Sequence, residues 1–111
     1  MGRSKPDMIK GTLDMLILQV LSWQAMHGWG ICERIQQVSQ DTLAVNQGSL
    51  YASLHRLRRE GWIESDWRTS ENNRRARYYA LTEAGRKQLA EEKEHWDRLS
   101  GAVARILSAT V

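Results

Sequence analysis

The sequence predicts a mainly helical protein with one small β-hairpin, arranged as a winged helix-turn-helix unit followed by a long C-terminal helix. Three observations support this class. Apolar residues recur with helical spacing in three successive segments, a cluster of turn residues separates two short β-prone runs, and an uninterrupted amphipathic stretch follows them. We assign residues 1–82 to the winged unit, with a loose arm over residues 1–8, and residues 83–111 to the C-terminal helix.

The first two helices are predicted from apolar spacing and from their flanking residues. The first helix is expected over residues 11–27, with Thr12 as its N-cap and Gly28 as its stop. A shorter second helix is expected over residues 29–39. The β-prone stretch "LAV" at residues 43–45 favours a stub strand.

The stretch "NQGSLYASLHRLRREGWI", residues 46–63, predicts the third helix. One of its faces is made of leucines: Leu50, Leu54 and Leu57. Asn46 is a good N-cap, and Gly61 is expected to end the helix. Because the leucine face accounts for the folding of the helix, its opposite, small and basic face is free for another purpose.

A hairpin and a last helix follow. Residues 62–68 are expected to form a strand, the turn-rich residues 69–73 a reversal, and residues 74–82 the returning strand. Thr82 is a plausible N-cap for one long helix that runs to about Leu107. Three helices and a hairpin in this order make the winged helix-turn-helix pattern, in which the third helix enters the DNA major groove and the hairpin touches flanking DNA.

The charge is concentrated where that pattern places its binding elements. The chain of 111 residues has 16 Lys and Arg against 13 Asp and Glu. Residues 51–80 hold seven arginines against four acids, so this one segment carries the whole net charge of +3. Arginine is the side chain that grips phosphates and guanine edges with a fork of donors. A polyanionic partner is therefore favoured, although many basic proteins bind none.

Other kinds of chemistry find little support in the sequence. Cys32 is the single cysteine, which excludes an intramolecular disulfide and favours a reducing compartment. We find no apolar run long enough for a membrane span and no signal-peptide pattern, so we expect a cytoplasmic protein. The three histidines and the cysteine lack metal-ligand spacing, and we expect neither a cofactor nor an enzyme. His27 is expected to make a structural hydrogen bond, and Cys32 to be a small buried residue.

Three motifs carry a resemblance to a known family. "MHGWGI" at residues 26–31, "GSLYASLHRLRREGWI" at residues 48–63 and "RRARYYALTEAGRKQLAEE" at residues 74–92 closely resemble the PadR family of bacterial transcriptional regulators. The resemblance covers about residues 9–107, and its single C-terminal helix is similar to the short subfamily. It implies a homodimeric, DNA-binding repressor that a small planar ligand releases from a palindromic operator.

The resemblance and the pattern together indicate DNA-contacting residues on the third helix and the hairpin. They are Gln47, Ser49, Tyr51, His55, Arg56, Arg59, Arg74, Arg75 and Arg77. We expect His55, Arg56 and Arg59 opposite the leucines. The alternatives stay open: the ring of Tyr51 could pack on the hairpin, Gln47 and Ser49 could be capping residues, and the arginines could be solvated or could protect an edge strand.

The last helix has an apolar seam of heptad type, broken only by Glu92. A small winged unit cannot easily cover such a long helix, so residues 83–111 are expected to be a dimerisation helix that pairs with a partner's equivalent and first helix. The expected interface residues are Leu13, Leu16, Ile17, Leu89, Trp96, Leu99, Val103 and Ile106. The alternative is a helix that folds back on its own first helix. Trp96 either fills the seam or, as the family resemblance implies, lines a ligand cavity.

Two rival classes of function remain open at this point. One is a metal- or redox-sensing regulator, which would ordinarily need more cysteines and histidines than this chain has. The other is a winged helix used for protein or RNA contacts, which would not need arginines on both the third helix and the hairpin. Preference for a duplex separates the second class from a DNA-binding regulator, and metal-dependent affinity would mark the first.

Overall fold

The structure, a computed structural model, describes residues 10–110, so the predicted N-terminal arm lies outside the described residues. Its elements are α1 (Lys10–Trp23), β1 (Met26–His27), α2 (Gly28–Val38), α3 (Gln47–Arg59), β2 (Ile63–Thr69), β3 (Arg75–Leu81) and α4 (Glu83–Ser108). The strands form one antiparallel sheet in the order β1-β3-β2. The mainly helical winged class with a long C-terminal helix is confirmed.

The core lies where the first three helices meet the sheet. The leucine face of α3 is completely buried and packs with apolar residues of α1 and α2, among them Ile17, Leu18 and Ile31. Ile63 and Tyr79 close the core from the sheet side. Burial of these side chains is the main stabilising contribution, at roughly 1.5–3 kcal/mol for each large apolar side chain. It also fixes α3 with its other face outward.

Both predicted boundaries of the third helix are confirmed by their hydrogen bonds. The Asn46 side chain accepts a bond from the Ser49 amide at 3.1 Å, which caps α3. At the other end Gly61, with φ +81°, donates to Arg58 while Trp62 donates to Leu57, the pair of bonds of a Schellman motif. A left-handed φ of this kind explains why glycine stands at this position.

The start of α4 is fastened to the end of α3. The Thr82 hydroxyl donates to the Gly61 carbonyl at 2.7 Å and accepts from the Gly85 amide at 3.0 Å, as an N-cap does. The Thr82 amide donates to the Trp62 carbonyl at 3.1 Å. A Cβ at Gly85 would collide with that same carbonyl, so only glycine allows this close approach. The orientation of α4 is therefore tied to the orientation of α3.

Several local predictions in the first half of the chain are wrong. Helix α1 ends at Trp23 rather than at residue 27, and Thr12 lies inside it. Residues 43–45 form no strand. The third strand of the sheet is instead β1, whose two residues pair with Tyr79 and Tyr78 of β3.

The physical reasons for these errors are long-range contacts. Gly28 looks like a helix stop, but it is the first residue of α2 and packs under the side chain of Tyr51, whose hydroxyl oxygen would lie 2.6 Å from an added Cβ. Leu43 and Val45 are apolar because they pack against the core from a loop. The Leu43 amide satisfies its hydrogen bond with the Ser39 hydroxyl at 3.0 Å, without a partner strand.

Candidate nucleic-acid interface

The outward surface of α3 carries most of the side chains that the sequence predicts. Gln47, Ser49, Tyr51, His55 and Arg59 are all exposed. They follow the helix from its N-terminus to its C-terminus, opposite or beside the buried leucines. The N-terminus of α3 has no acidic residue in its first turn, so its free amides and positive dipole end are open to an anion.

Arg56 lies elsewhere, and its expected position opposite the leucines is wrong. It follows the buried Ser53 by three residues, which turns it toward α1, where its guanidinium donates to the Asp14 carboxylate at 2.5 Å. A second bond of 3.3 Å reaches the Ser53 hydroxyl. Asp14 is only 9% exposed, so Arg56 neutralises a buried charge. The missed signal is a lone acid within the apolar stripe of α1.

The strands β2 and β3 with their turn form the wing. The three predicted hairpin arginines lie at the end of the wing that is farthest from the core. Arg74 ends the turn and is exposed, next to Asn73 with its left-handed φ of 58°. Arg75 and Arg77 share one face of β3, as the alternation of a strand predicts. Both stack on Trp67 of β2, with guanidinium carbons 5.4 and 5.2 Å from the centre of the indole.

The opposite face of the wing is arranged differently. Arg68 lies over the ring of Tyr78 at 5.4 Å and bonds the Asp66 carboxylate at 3.1 Å. Its charge is therefore paired, in an exposed ion pair of the kind that contributes little to stability. Arg75 and Arg77 take part in none of the ion pairs found between residues 10 and 110. The net positive charge of the wing thus lies on the Trp67 face.

A groove of about 620 Å³ connects this face to the helices. We call it the wing groove. Aromatic rings and guanidinium groups line it together: Trp29, Tyr51, Trp67, Arg74, Arg75 and Arg77. The Tyr51 ring packs on Gly28 of α2, while half of the residue remains exposed. Sequence reasoning missed Trp29 and Trp67, although an exposed tryptophan beside arginines is a signal for binding.

His27 makes the structural hydrogen bond that the sequence predicts. Its Nδ1 accepts from the Gly30 amide at 3.0 Å and caps α2. Its ring also meets Tyr78 edge-on at 5.2 Å, so the side chain joins α2 to the sheet. This arrangement holds the N-terminus of α2 at the edge of the wing groove.

Two further kinds of reactive group are the thiol of Cys32 and the side chains that could hold a metal ion. Burial raises the pKa of the Cys32 thiol, which is half-buried rather than fully buried as expected, and so disfavours the reactive thiolate. Across residues 10–110, no three His, Cys, Asp or Glu side chains cluster closely enough to hold a metal ion. None of the helices within that range is long and apolar enough to cross a bilayer.

The predicted dimer-interface residues fall into two groups. Leu13, Ile17 and Leu89 fill the chain's own core, so the expectation that they face a partner is wrong. They belong to the core cluster that α1 and the first turns of α4 share with the other helices and the sheet. Leu16 of α1 is half-buried against the core. Beyond Leu89, α4 leaves the core of its own chain. The other predicted residues are exposed there: Trp96, Leu99, Val103 and Ile106.

A second groove, of about 260 Å³, runs between α1 and this part of α4. We call it the α4 groove. Its lining is mostly apolar and includes Met15, Trp96 and Leu99, with Glu92 on the wall. Burial raises the pKa of the Glu92 carboxyl, whose Oε2 is buried and finds no hydrogen-bond partner within the described range. The groove can therefore hold an apolar group next to one poorly solvated acid.

Known proteins are similar to this chain in sequence and in fold. The model of the transcriptional regulator PadR-like family matches residues 17–91. An uncharacterised protein of a Streptomyces fradiae transposon is 39% identical over 89 residues, which is 80% of this chain and 24% of that protein. A transcriptional regulator of Mycobacterium tuberculosis is 35% identical over 68 residues, covering 61% of this chain and 63% of the regulator.

Solved structures agree with the family model. A PadR-like transcriptional regulator from Bacillus cereus is 29% identical, with a TM-score of 0.78 over 91% of this chain and 96% of its own. A transcriptional regulator from Clostridium thermocellum is 25% identical, with a TM-score of 0.79 over 86% of this chain and 90% of its own. The family model spans well over half of the chain, and the fold with its long last helix is the same. The chain belongs to the PadR-like family of transcriptional regulators.

Proposed function

We propose that the protein is a homodimeric repressor that binds a palindromic DNA duplex and is released by a small planar ligand. One observation carries the DNA-binding part. Tyr51, on the exposed face of α3, and the wing arginines Arg74, Arg75 and Arg77 line the same groove, although the sequence separates them. A duplex can meet both at once, with α3 in the major groove and the wing on the neighbouring backbone.

The proposed contacts divide into two kinds. Gln47, Ser49 and Tyr51 stand at the N-terminal end of α3, where side chains and amides reach phosphates and base edges. His55 and Arg59 continue the same exposed surface. The wing arginines Arg74, Arg75 and Arg77 supply affinity through counterion release, which makes binding weaken steeply with salt. Arg56 is left out of these contacts because it neutralises Asp14.

The dimer is proposed from the free part of α4. Ile106 and Leu107 are 74% and 81% exposed, and Trp96, Leu99 and Val103 extend the same apolar surface. An isolated monomer that leaves such a surface in water loses the stabilisation of its burial. A second copy covers it with an equivalent surface under two-fold symmetry. Two α3 helices then read half-sites about one helical turn, roughly 10 bp, apart.

Release by a ligand is proposed from the α4 groove. Trp96 offers a flat aromatic face, and the groove lies beside the helix that joins the two subunits. Because α4 is fastened to α3 through Thr82 and Gly85, a ligand that prefers another α4 packing also prefers another placement of α3. The ligand thus shifts a population of dimer geometries and need not compete with DNA.

Fluorescence anisotropy tests the DNA-binding part. The labelled probe is a duplex from the region upstream of the protein's own gene, with a scrambled duplex of equal composition as the control. We expect preference for the upstream duplex to survive a rise from low to near-physiological salt. Equal, salt-sensitive binding to both probes would contradict specific binding, and stronger binding to single-stranded RNA would favour the rival module. Loss of affinity in chelator or reductant would favour a metal- or redox-sensing regulator.

Sedimentation equilibrium tests the dimer, and tryptophan fluorescence tests the ligand site. We expect Leu99→Asp to dissociate the dimer, while Glu91→Gln, an exposed change on the same helix, leaves it intact. A parent chain that sediments as a monomer would contradict the proposal. A planar dye that binds the parent and binds Trp96→Ala equally well would contradict the ligand site in the α4 groove.

A further inference from the structure

Trp67 is a large aromatic residue in an unusual place. It lies in β2, an edge strand, where 54% of its surface is exposed. The residues before it on the same face are Ile63, which is in the core, and Ser65, which is half-buried. Along this face of β2, Trp67 is therefore the first residue that lies outside the core, and it lines the wing groove. Burial within the fold does not account for a tryptophan at this position.

The indole instead organises two arginines of the neighbouring strand. Trp67 stands directly opposite Arg77 in the register, and Arg75 lies two residues earlier in β3, on the same face. Both guanidinium carbons lie within 6 Å of the indole centre, the range of an attractive cation–π contact. One ring thus holds two like charges beside each other, a pairing that mutual repulsion would otherwise disfavour.

Neither arginine is satisfied by this contact. A cation–π contact occupies the flat face of a guanidinium and leaves its N–H donors at the edge free. Arg75 is exposed and Arg77 is partly exposed, and neither takes part in an ion pair within residues 10–110. Asp66, an acidic residue of β2, is bound to Arg68 on the opposite face. The stacked pair is therefore ordered but still has donors for an anion.

We propose that Trp67 is a positioning residue for DNA binding, which holds Arg75 and Arg77 in the orientation in which they meet successive phosphates of one strand. The inference rests on the DNA-binding function proposed above. An unrestrained arginine loses much of its side-chain freedom when it binds a phosphate. Stacking on the indole removes part of that loss before DNA arrives, and the face of the guanidinium that is stacked is not needed for phosphate.

Two substitutions distinguish the effect of the aromatic ring of Trp67 from the effect of its size. Trp67→Leu keeps an apolar side chain that fits a strand but removes the ring, whereas Trp67→Phe keeps a ring. Using the labelled upstream duplex at near-physiological salt, we expect Trp67→Leu to weaken binding about tenfold and Trp67→Phe by less than about threefold. Trp23→Leu is the matched control, because Trp23 is similarly exposed but ends α1, away from the groove. It is expected to leave affinity unchanged.

A double-mutant cycle distinguishes positioning from a structural role or a direct contact. In a background with Arg75→Ala and Arg77→Ala, we expect Trp67→Leu to change affinity by less than about twofold, because there is nothing left to position. A tenfold loss that persists in this background would overturn the inference, since Trp67 would then contact DNA itself or support the wing. Equal affinity of Trp67→Leu and the parent would also overturn it.

The parent chain separates this inference from the function on which it rests. If the parent fails to bind the upstream duplex, the proposed function and the role of Trp67 in it are both overturned. If the parent binds and only the cycle fails, the function stands and the inference alone is lost. Binding by the parent together with the expected cycle supports both.

Discussion

Arginine has two different roles in this protein. Arg56 of α3 pairs with Asp14, whereas Arg75 and Arg77 of the wing stack on Trp67. Arg56 is half-buried and bonds an acid that lies 42 residues earlier in the chain. Arg75 and Arg77 bond no acid in the described chain and rest on an aromatic ring at the edge of a groove. The first arrangement joins two helices of the core, and the second keeps charge accessible.

The comparison teaches that the partner of an arginine decides its role. A carboxylate in a buried place neutralises the charge and takes up donors of the guanidinium, so less is left for a ligand. An aromatic face orders the side chain and consumes neither. Substitutions at the two sites should therefore affect different measurements, with stability changing at Arg56 and DNA affinity changing in the wing.

The largest expected effect is on stability, at the buried pair. We expect Asp14→Ala to lower the free energy of unfolding by about 2–4 kcal/mol, because it leaves the half-buried Arg56 without its counter-charge. Urea unfolding measures the change. Asp66→Ala is the matched control, since its ion pair with Arg68 is exposed and should cost less than about 1 kcal/mol. If both variants lose the same free energy of unfolding, the buried pair is no more important for stability than the exposed pair, and the prediction is wrong.

The next effect is on DNA affinity, at the wing. We expect the double substitution Arg75→Ala and Arg77→Ala to weaken duplex binding roughly 10- to 100-fold near physiological salt. The slope of log affinity against log salt should fall by about 2, because two phosphate contacts are lost. The change in unfolding free energy should stay below about 1 kcal/mol.

Arg98→Ala, an exposed arginine of α4 in an i,i+4 pair with Glu94, is the control for a loss of general positive charge. It should leave the affinity nearly unchanged. A double variant of the wing that keeps the parent's salt slope would show that these two arginines do not reach phosphates.

The smallest expected effect is on thermal stability, at Glu92, which takes part in none of the ion pairs within residues 10–110. Burial raises the pKa of Glu92 above its ordinary value of 4.5, so the native chain binds this proton more tightly than the unfolded chain. The stability that the proton provides is present below about pH 4.5 and is lost as the pH rises through the native pKa. Glutamine mimics the protonated form, so Glu92→Gln should raise the Tm at pH 7 by about 1–4 °C.

Thermal unfolding at one protein concentration measures this effect, because the Tm of a dimer depends on concentration. The advantage of Glu92→Gln should shrink as the pH is lowered toward 4.5. Glu91→Gln, on the exposed side of the same helix, is the control and should show no such trend. A gain for Glu92→Gln that is the same at every pH would exclude the burial of a charge as its cause.

The accuracy of the sequence-based predictions follows the range of the interactions involved. Asn46, Gly61 and Thr82 were placed correctly because their bonds close within a few residues and suit their residue types. The strand β1 was missed because two residues become a strand only when β3, about fifty residues later, lies beside them. Gly28 was misinterpreted because the Tyr51 ring that requires glycine there belongs to another helix.

The candidate site divides in the same way. The exposed face of α3 and the alternation of Arg75 and Arg77 follow from periods of 3.6 and 2 residues. The pairing of Arg56 with Asp14 does not, since a helical period gives the angle of a side chain but not the helix that faces it. Nor does the stack on Trp67, because strand register across the turn decides which residues stand opposite each other.

The sequence by itself determined the winged class, the ends of α3, the start of α4 and the basic segment, because each rests on local hydrogen bonds or on one period of apolar residues. Only the tertiary structure decided which arginines pair with an acid and which stack on Trp67, and where α4 leaves the core. Those outcomes depend on groups that are distant in the chain and meet only after the helices and the sheet have packed.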